Sequence, residues 1–500
     1  MGDRGLELVL ADDAATARLG EDLAAAARPG DVFALSGDLG AGKTTLARGF
    51  IRAMADASDL DVPSPTFTIV QSYPARIPVH HFDLYRLTDP GELDELGLDE
   101  AVADGIALIE WPERAGAGLP SGRTEIKLAE WKVGRKATIS GPPETMARIA
   151  RSLDIRAFLD GAGRGTARRA YLVGDASTRS YEMVGGGDDW RILMNAPAMP
   201  DGPPVRDGKP YSRIAHLAEN VTPFVAIAEA LRREGFAASE IFAGDLDRGL
   251  LLIEHLGTEG IVDAEGKPIP ERYLAAAELL ADLHGRAWPS RLPVKPGLDY
   301  AVPPYDPSAL AIETELATDW YLPAYGTKGD HDDIRTRYPE LWRGLIERLG
   351  QAEKSLVLRD YHSPNIIWRG ERAGSDRLAI IDFQDALIGP SAYDVASLAL
   401  DARVTIPREL ERQIVETYCT ARTRNGPFDR KAFDEAYAIV AAQRNSKILG
   451  IFVRLDVRDG KPQYLKHLPR IRDYLARALA HPALADLRAL YRQAGFVDPA

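Results

Sequence analysis

The chain has 500 residues, 45% hydrophobic and 27% charged, with a formal net charge of -13, the composition of a globular protein of two or three domains. A single cysteine, Cys419, excludes an internal disulfide framework and suits a reducing compartment. No apolar run approaches the ~20 residues of a bilayer span, and no basic segment followed by an apolar run opens the chain, so a cytoplasmic protein without membrane attachment is expected.

The charge is uneven. Residues 1–150 carry 15 Lys+Arg against 24 Asp+Glu, and residues 151–500 carry 46 against 50. The acidic first part is poorly suited to holding nucleic acid alone, because such affinity rests on neutralising phosphates. Protein partners are expected for it.

In chain order, residues 6–10 predict a strand, 14–27 an amphipathic helix and 32–36 a buried strand. That strand runs into Gly37-Asp38-Leu39-Gly40-Ala41-Gly42-Lys43-Thr44-Thr45, which satisfies G-x-x-x-x-G-K-[ST], and a helix is predicted over 44–57. Glycines let successive backbone N–H groups turn inward, and the helix dipole favours an anion. In such a P-loop, Lys43 reaches the β- and γ-phosphates of ATP and the Thr44 hydroxyl ligates Mg²⁺.

After the loop helix come Ser64-Pro65-Thr66-Phe67 and a β-rich run, then a strand over 79–87. A short acidic helix follows over 89–96, an apolar strand over 106–110 and a hairpin over 125–139. Asp83 and Glu110 stand at or near strand ends. Glu110 is expected on the metal side; Asp83 is either part of the site, or a strand-end turn residue or ion-pair partner of Arg86. Thr66 reads equally as a γ-phosphate sensor or a plain strand threonine. His80 and His81 read as ordinary strand residues, since no third ligand lies at metal spacing. Residues 145–159 have helical spacing and glycines follow, so 1–150 is taken as one domain, 151–169 as a flexible linker and 170–500 as a second domain.

The second domain opens with strands over 171–181 and 190–194, a helix over 223–235 and a strand near 249–257; mostly helices follow. Its chemistry lies at Asp360 and Asn365, in D-x-x-x-x-N, and at Asp382, which ends an apolar strand 17 residues after the asparagine. Phosphoryl transfer needs a carboxylate beside the acceptor hydroxyl and oxygen ligands for Mg²⁺. Asp360 suits the first role; Asn365 and Asp382 suit the second. Asp385 is assigned to support of the metal site or loop, His362 to holding the loop, and Asp394 to a helix cap that braces it.

Four ordered stretches carry a resemblance: Gly37 to Thr45, Ser64 to Phe67, His81 to Arg86, and Ile109-Glu110-Trp111-Pro112-Glu113. Over residues 5–145 the chain resembles the TsaE family, small ATPases of bacterial threonylcarbamoyladenosine synthesis on tRNA. The resemblance implies ATP hydrolysis in the service of the TsaD and TsaB proteins, with tRNA contacted only indirectly. It makes Lys43 and Thr44 the phosphate and Mg²⁺ residues, Asp83 and Glu110 the acidic residues, and puts Trp111 beside the nucleotide.

Over residues 170–495 the chain resembles the aminoglycoside phosphotransferase family, and within it the AmgK sugar kinases. The resemblance rests on Gly174-Asp175-Ala176-Ser177, Met194-Asn195-Ala196-Pro197, Asp360 to Asn365, and Asp382 to Ala386. It implies a protein-kinase-like fold, Asp360 as base, metal on Asn365 and Asp382, Gly174 to Ser177 over the phosphates of ATP, and an amino-sugar acceptor. Two departures stand out. Leu358 occupies the position of a family histidine, and the strand at 190–194 lacks the phosphate-gripping lysine; Lys209 is the only lysine between residues 170 and 260. Arg179 and Arg191 are candidate replacements. The expected architecture is therefore an α/β P-loop NTPase domain followed by an α+β kinase-like domain. For the second half, an aminoglycoside or other hydroxyl acceptor and a degenerate nucleotide-binding module stay open. For the first half, a nucleotide switch for complex assembly stays open.

Overall fold

The computed structural model describes residues 5–172, 179–329 and 331–498. The chain divides into two compact units: residues 1–195 with 242–245 and 250–253, and the remainder.

In the first unit, β1 (Leu6–Leu10), β2 (Val32–Ser36), β3 (Val70–Tyr73), β4 (Val79–Asp83), β5 (Ile106–Glu110), β6 (Thr124–Trp131) and β7 (Gly134–Ser140) form one sheet, in the order β1-β7-β6-β2-β5-β4-β3. β2 runs parallel to β5 and β6, and β5 parallel to β4. The sequences explain the order. All five residues of β5 are buried, as befits a central parallel strand covered on both faces. β6 instead alternates, with Thr124, Ile126 and Leu128 buried and Glu125, Lys127 and Ala129 exposed. The P-loop follows β2, while Asp83 and Glu110 end β4 and β5 and pair in register. The loop and both carboxylates therefore sit where ligands bind on open α/β sheets, at the carboxyl ends of parallel strands.

Helix α1 (Asp13–Ala26) crosses the P-loop helix α2 (Lys43–Ala55) at two glycines. A Cβ on Gly20 would lie 2.3 Å from the Leu46 carbonyl oxygen, and one on Gly49 would lie 2.2 Å from that of Ala17. α3 (Leu98–Asp104) leads into β5.

Two expectations need correction here. The strand foreseen over 79–87 stops at Asp83, because the Asp83 carboxylate accepts from the Tyr85 N–H and starts a 3₁₀ turn over Leu84–Arg86. The linker foreseen over 151–169 is built structure: the helix foreseen over 145–159 is α4, over Pro143–Gly161, and β8 (Arg168–Leu172) begins seven residues after its end, so the glycine stretch is short and held. Arg156 accounts for the order: it donates to the carbonyls of Gly165 and Ala167 and to the Asp22 carboxylate of α1.

β8, β9 (Ser180–Gly186) and β10 (Asp189–Asn195) join Leu250–Glu254 and Ile241–Asp245 in a five-stranded sheet. The glycine-rich stretch Gly174, Asp175, Ala176 and Ser177 lies outside the described residues.

The second unit is mainly helical. The 28-residue helix Arg430–Val457 is buried along most of its length. It packs against Pro307–Leu316, Ala392–Ala399 and Leu468–Ala478, and Arg408–Asn425 packs against Pro270–His284. Of the small sheets between the helices, one pairs Lys354–Val357 with Leu387–Pro390, and another Ile366–Trp368 with Leu378–Ile380. Residues 358–365 bridge these sheets, so both ends of that loop are anchored in β-structure. No helix among the described residues is long and apolar enough to cross a membrane.

Candidate active sites

The P-loop borders a cavity of about 550 Å³ lined by Lys43, Thr44, Ser64, Asp83, Glu110 and Trp111, among others. Gly37, Gly40 and Gly42 have φ of +142°, +79° and +101°, a backbone that side chains resist. Gly42 opens α2 with no side-chain cap, so the first N–H groups of the helix remain for a ligand. Lys43 Nζ donates back to the carbonyls of Gly37 and Asp38, at 2.8 and 3.0 Å. It also sits 3.7 Å from the centre of the Trp111 ring. Burial pushes its ammonium below the ordinary lysine value, against the pull of Glu110 and Glu113. Leu39 is exposed and Ala41 buried at the loop's two sides, and Thr45 completes the lining with Leu39.

The metal-side arrangement is built from three strands' ends. The Thr44 hydroxyl donates to Glu110 Oε2 at 3.0 Å, and His81 Nε2 lies 2.9 Å from Glu110 Oε1. His81 and Glu110 are both buried. Asp83 accepts from the hydroxyls of Ser64 and Thr66 and from the Tyr85 N–H. Asp83 is thus tied to the Ser64–Thr66 loop, whereas Arg86 stacks on Phe67. Sequence reasoning passed over His81 as a plain strand residue. The available signal was its spacing of two from Asp83, which puts both on one face of β4. Among the described residues no cluster of three His, Cys, Asp or Glu side chains could hold a metal. A hydroxyl and a carboxylate beside a phosphate cradle fit Mg²⁺, which takes few protein ligands and completes its shell with phosphate and water.

In the second unit, two positive-φ residues shape the catalytic stretch: Arg359 at +74° and Asp382 at +58°. Strained non-glycine backbone of this kind persists where the surroundings fix it. Asp394 does the fixing at the first position: it accepts from the backbone N–H groups of Leu358 and Arg359 at 2.6 and 2.8 Å. It lies inside the helix Ala392–Ala399, behind Ser391, so it braces the loop but is not the helix cap foreseen. Asp401, unforeseen, accepts from the Ser363 N–H and the Tyr273 hydroxyl. His362 Nδ1 lies 2.9 Å from the Asp360 carbonyl oxygen, a loop-holding contact.

Asn365 Nδ2 donates to the Asp360 carbonyl at 2.9 Å and lies 3.5 Å from Asp382 Oδ2. This leaves the Asn365 amide oxygen as the ligating atom. Gln384 Nε2 donates to Asp382 Oδ1 at 2.8 Å. Asp360, Asn365 and Asp382 thus converge, with donor atoms suited to Mg²⁺ and a nucleotide phosphate. Burial works to raise the Asp360 pKa, but Arg444 and Lys447 outweigh it and hold the carboxyl below the usual aspartate range. Arg444 Nη1 lies 3.7 Å from Asp360 Oδ1. Arg359 is buried against Glu313, which Lys447 and the Tyr305 hydroxyl also reach. Tyr305 and Glu313 are both buried, so this cluster is internal packing around Arg359. Asp385 accepts from the Ala218 N–H at 2.6 Å, which makes it a loop support. Arg191, a candidate replacement for the missing lysine, pairs with Asp189 and stacks on Phe242.

The family model of the threonylcarbamoyl adenosine biosynthesis protein TsaE matches residues 10–137, and that of the phosphotransferase enzyme family matches 163–433. An N-acetylmuramate/N-acetylglucosamine kinase of Caulobacter vibrioides is 35% identical over 348 residues, 67% of this chain and 94% of that protein. A tRNA threonylcarbamoyladenosine biosynthesis protein TsaE of Rickettsia bellii is 36% identical over 123 residues, 24% of this chain and 85% of that protein. The Rickettsia felis protein of the same name is 40% identical over 107 residues, 21% of this chain and 62% of its own length. The folded P-loop site precedes a kinase-like catalytic loop, and each half has its own relatives: the chain belongs to the phosphotransferase enzyme family and carries, ahead of that ATP-using kinase domain, a TsaE-family ATPase domain.

Proposed function

We propose that the chain is bifunctional. Its first half hydrolyses ATP in support of threonylcarbamoyl transfer to the tRNA adenosine beside the anticodon, working with TsaD and TsaB proteins in the cytoplasm. Its second half phosphorylates the anomeric hydroxyl of N-acetylmuramate or N-acetylglucosamine. The observation that carries the second reading is the convergence of Asp360, Asn365 and Asp382 on a loop pinned by Asp394. It is supported by likeness along nearly the whole Caulobacter kinase.

In this reaction Asp360 takes the proton of the acceptor hydroxyl as that oxygen bonds to the γ-phosphorus, and the bond to the β-phosphate oxygen breaks to release ADP. Bound Mg²⁺ supplies neutralisation of phosphate charge. Asn365 and Asp382 orient the nucleotide end, and Arg444 keeps Asp360 ionised for its proton. In the first half, Lys43 leaves the loop carbonyls for the phosphates, and Glu110, held by His81, orients Thr44. Asp83 links the site to the Ser64–Thr66 loop.

The test is ADP release by the full chain and by Asp360→Asn and Lys43→Ala variants. The panel is N-acetylmuramate, N-acetylglucosamine and kanamycin. Sugar-dependent turnover is expected to fall by about a thousandfold or more in Asp360→Asn, general-base loss combined with mispositioning, and to persist in Lys43→Ala. Turnover stimulated by kanamycin alone, or ADP release that neither sugar raises, sinks the sugar-kinase reading. Stimulation of the acceptor-independent ATPase by TsaD and TsaB, lost in Lys43→Ala, is expected for the first half; its absence overturns that half.

A further inference from the structure

The Asp394 carboxylate that pins the catalytic loop is fully buried, and among the described residues no lysine or arginine lies within ion-pair distance of it. A buried carboxylate is costly unless donors or a cation face it. Its backbone donors are the Leu358 and Arg359 N–H groups. One side chain also reaches it: His284 Nε2 lies 3.5 Å from Asp394 Oδ2, and both side chains are wholly buried.

His284 ends the helix Pro270–His284. Its other ring nitrogen, Nδ1, lies 2.9 Å from the Tyr418 hydroxyl, and the two rings meet edge to face, with centroids 5.7 Å apart. This pairing sets the proton. With Nδ1 accepting from the tyrosine, the neutral ring carries its hydrogen on Nε2, toward the carboxylate; the other tautomer would set a lone pair against a negative charge. An imidazolium would carry a hydrogen there as well. Nε2 has no hydrogen-bond partner of its own. At 3.5 Å the contact is long for a hydrogen bond, so it acts as an N–H dipole held against an ion where screening is weak.

The orientation of Asp394 matters because both of its oxygens are in use. Oδ2 accepts from Leu358 and faces His284, while Oδ1 accepts from Arg359. Turning the carboxylate would release both N–H groups. Arg359, at a φ of +74°, would then relax toward the ordinary backbone region and carry Asp360, the next residue, with it.

We propose that His284, oriented by Tyr418, is a positioning residue for phosphoryl transfer: it holds the Asp394 carboxylate in the orientation that binds Leu358 and Arg359, and so places Asp360. The proposal needs the kinase activity of this half but no particular acceptor.

The experiment uses the full chain, as wild type, His284→Gln, His284→Leu and Tyr418→Phe. Glutamine can present an amide N–H where Nε2 stands; leucine fills similar volume without a donor. Two quantities are read: kcat with ATP and N-acetylmuramate, and hydrogen–deuterium exchange of the Leu358 and Arg359 amides. His284→Leu is expected to lower kcat by about tenfold to a hundredfold, the scale of a misplaced catalytic group. It should also speed exchange of both amides about tenfold, the loss of a charge-assisted hydrogen bond. His284→Gln should restore much of both. Wild-type kcat and exchange in His284→Leu overturn the proposal, even if the melting temperature falls. Glutamine as poor as leucine overturns it too, because the ring would then act by packing and not by its N–H. If His284→Leu does not fold, Tyr418→Phe decides: a several-fold loss of kcat with faster exchange is expected, and wild-type values for both overturn the proposal. If the wild type does not turn over N-acetylmuramate, the sugar-kinase reading falls by itself. The exchange measurement then decides His284: faster exchange in leucine, restored by glutamine, keeps its hold on the loop, and equal exchange removes it.

Discussion

Asp360 is a carboxylate more than a third exposed, with two cations set against its burial. A base must be deprotonated to act, so the depressed pKa extends kinase activity into acid. Arg444 is the nearer cation: its guanidinium lies 3.7 Å from Asp360 and also donates to the Arg359 carbonyl. Replacing it with methionine removes the term that lowers the pKa and leaves desolvation, which raises it. The acid limb of kcat/KM should therefore move upward in Arg444→Met by about one pH unit, the low end of what one adjacent arginine does to a carboxylate. Arg444→Lys should move it less. A pH profile over both variants tests this. A drop in kcat/KM with an unmoved acid limb would assign Arg444 to loop structure alone. The same comparison separates it from Lys447, whose closest carboxylate is Glu313 at 2.9 Å.

The crossing of α1 over the P-loop helix turns on Gly20 and Gly49, where backbone meets backbone. Alanine at Gly49 gains about 1 kcal/mol of helix propensity. It also puts a methyl 2.2 Å from the Ala17 carbonyl oxygen, and no side-chain rotation relieves a contact with main chain. Overpacking costs about 1–3 kcal/mol, so the clash wins. Gly49→Ala should lower the melting temperature, by about 2–4 °C per kcal/mol lost for a unit of this size, and weaken ATP binding by shifting α2. An unchanged melt would mean the helices slide apart freely. That crossing was not legible in the sequence, since glycine in a helix reads only as a weak spot. The P-loop was legible, because its chemistry is local: nine consecutive residues with a strand before and a helix after. Asp360, Asn365 and Asp382 were legible for the same reason. His81, Asp401, Arg444 and the Arg359–Glu313 pair were not. Their roles come from partners 29 to 128 residues away, and residue type alone does not name a partner. The boundary of β4 was missed for a related reason, a side-chain cap overriding apolar propensity.

At the scale of the molecule, the glycines after residue 160 suggested a tether, because residue type alone does not show that the arginines beside them have partners within the chain. Within the first unit, Arg169 of β8 donates to Asp22 of α1 at 2.7 Å and grips Glu182 of β9 with two nitrogens, at 2.6 and 2.8 Å. Arg169 and Asp22 are buried, and Arg156 of α4 also bonds Asp22. The TsaE-family domain and the first strands of the kinase domain thus share one buried ion network, where a flexible linker between two domains was expected. Breaking such a network by removing one partner costs up to about 3–5 kcal/mol; without Arg169, Glu182 loses its cation and the buried Asp22 keeps only Arg156. Replacing all its charges with apolar groups of similar volume costs far less. Urea unfolding of the full chain should therefore show Arg169→Met losing stability by about that amount. The triple variant Asp22→Leu, Arg169→Met, Glu182→Leu should recover part of the loss, though Arg156 then lacks one carboxylate. If the single variant loses under about 0.5 kcal/mol, the range of ordinary surface substitutions, the network does not join the two domains. If the triple variant is as stable as wild type, the ions contribute register between α1 and β8 rather than net stability. The separate ATPase and kinase activities of that variant then report whether register matters to either site.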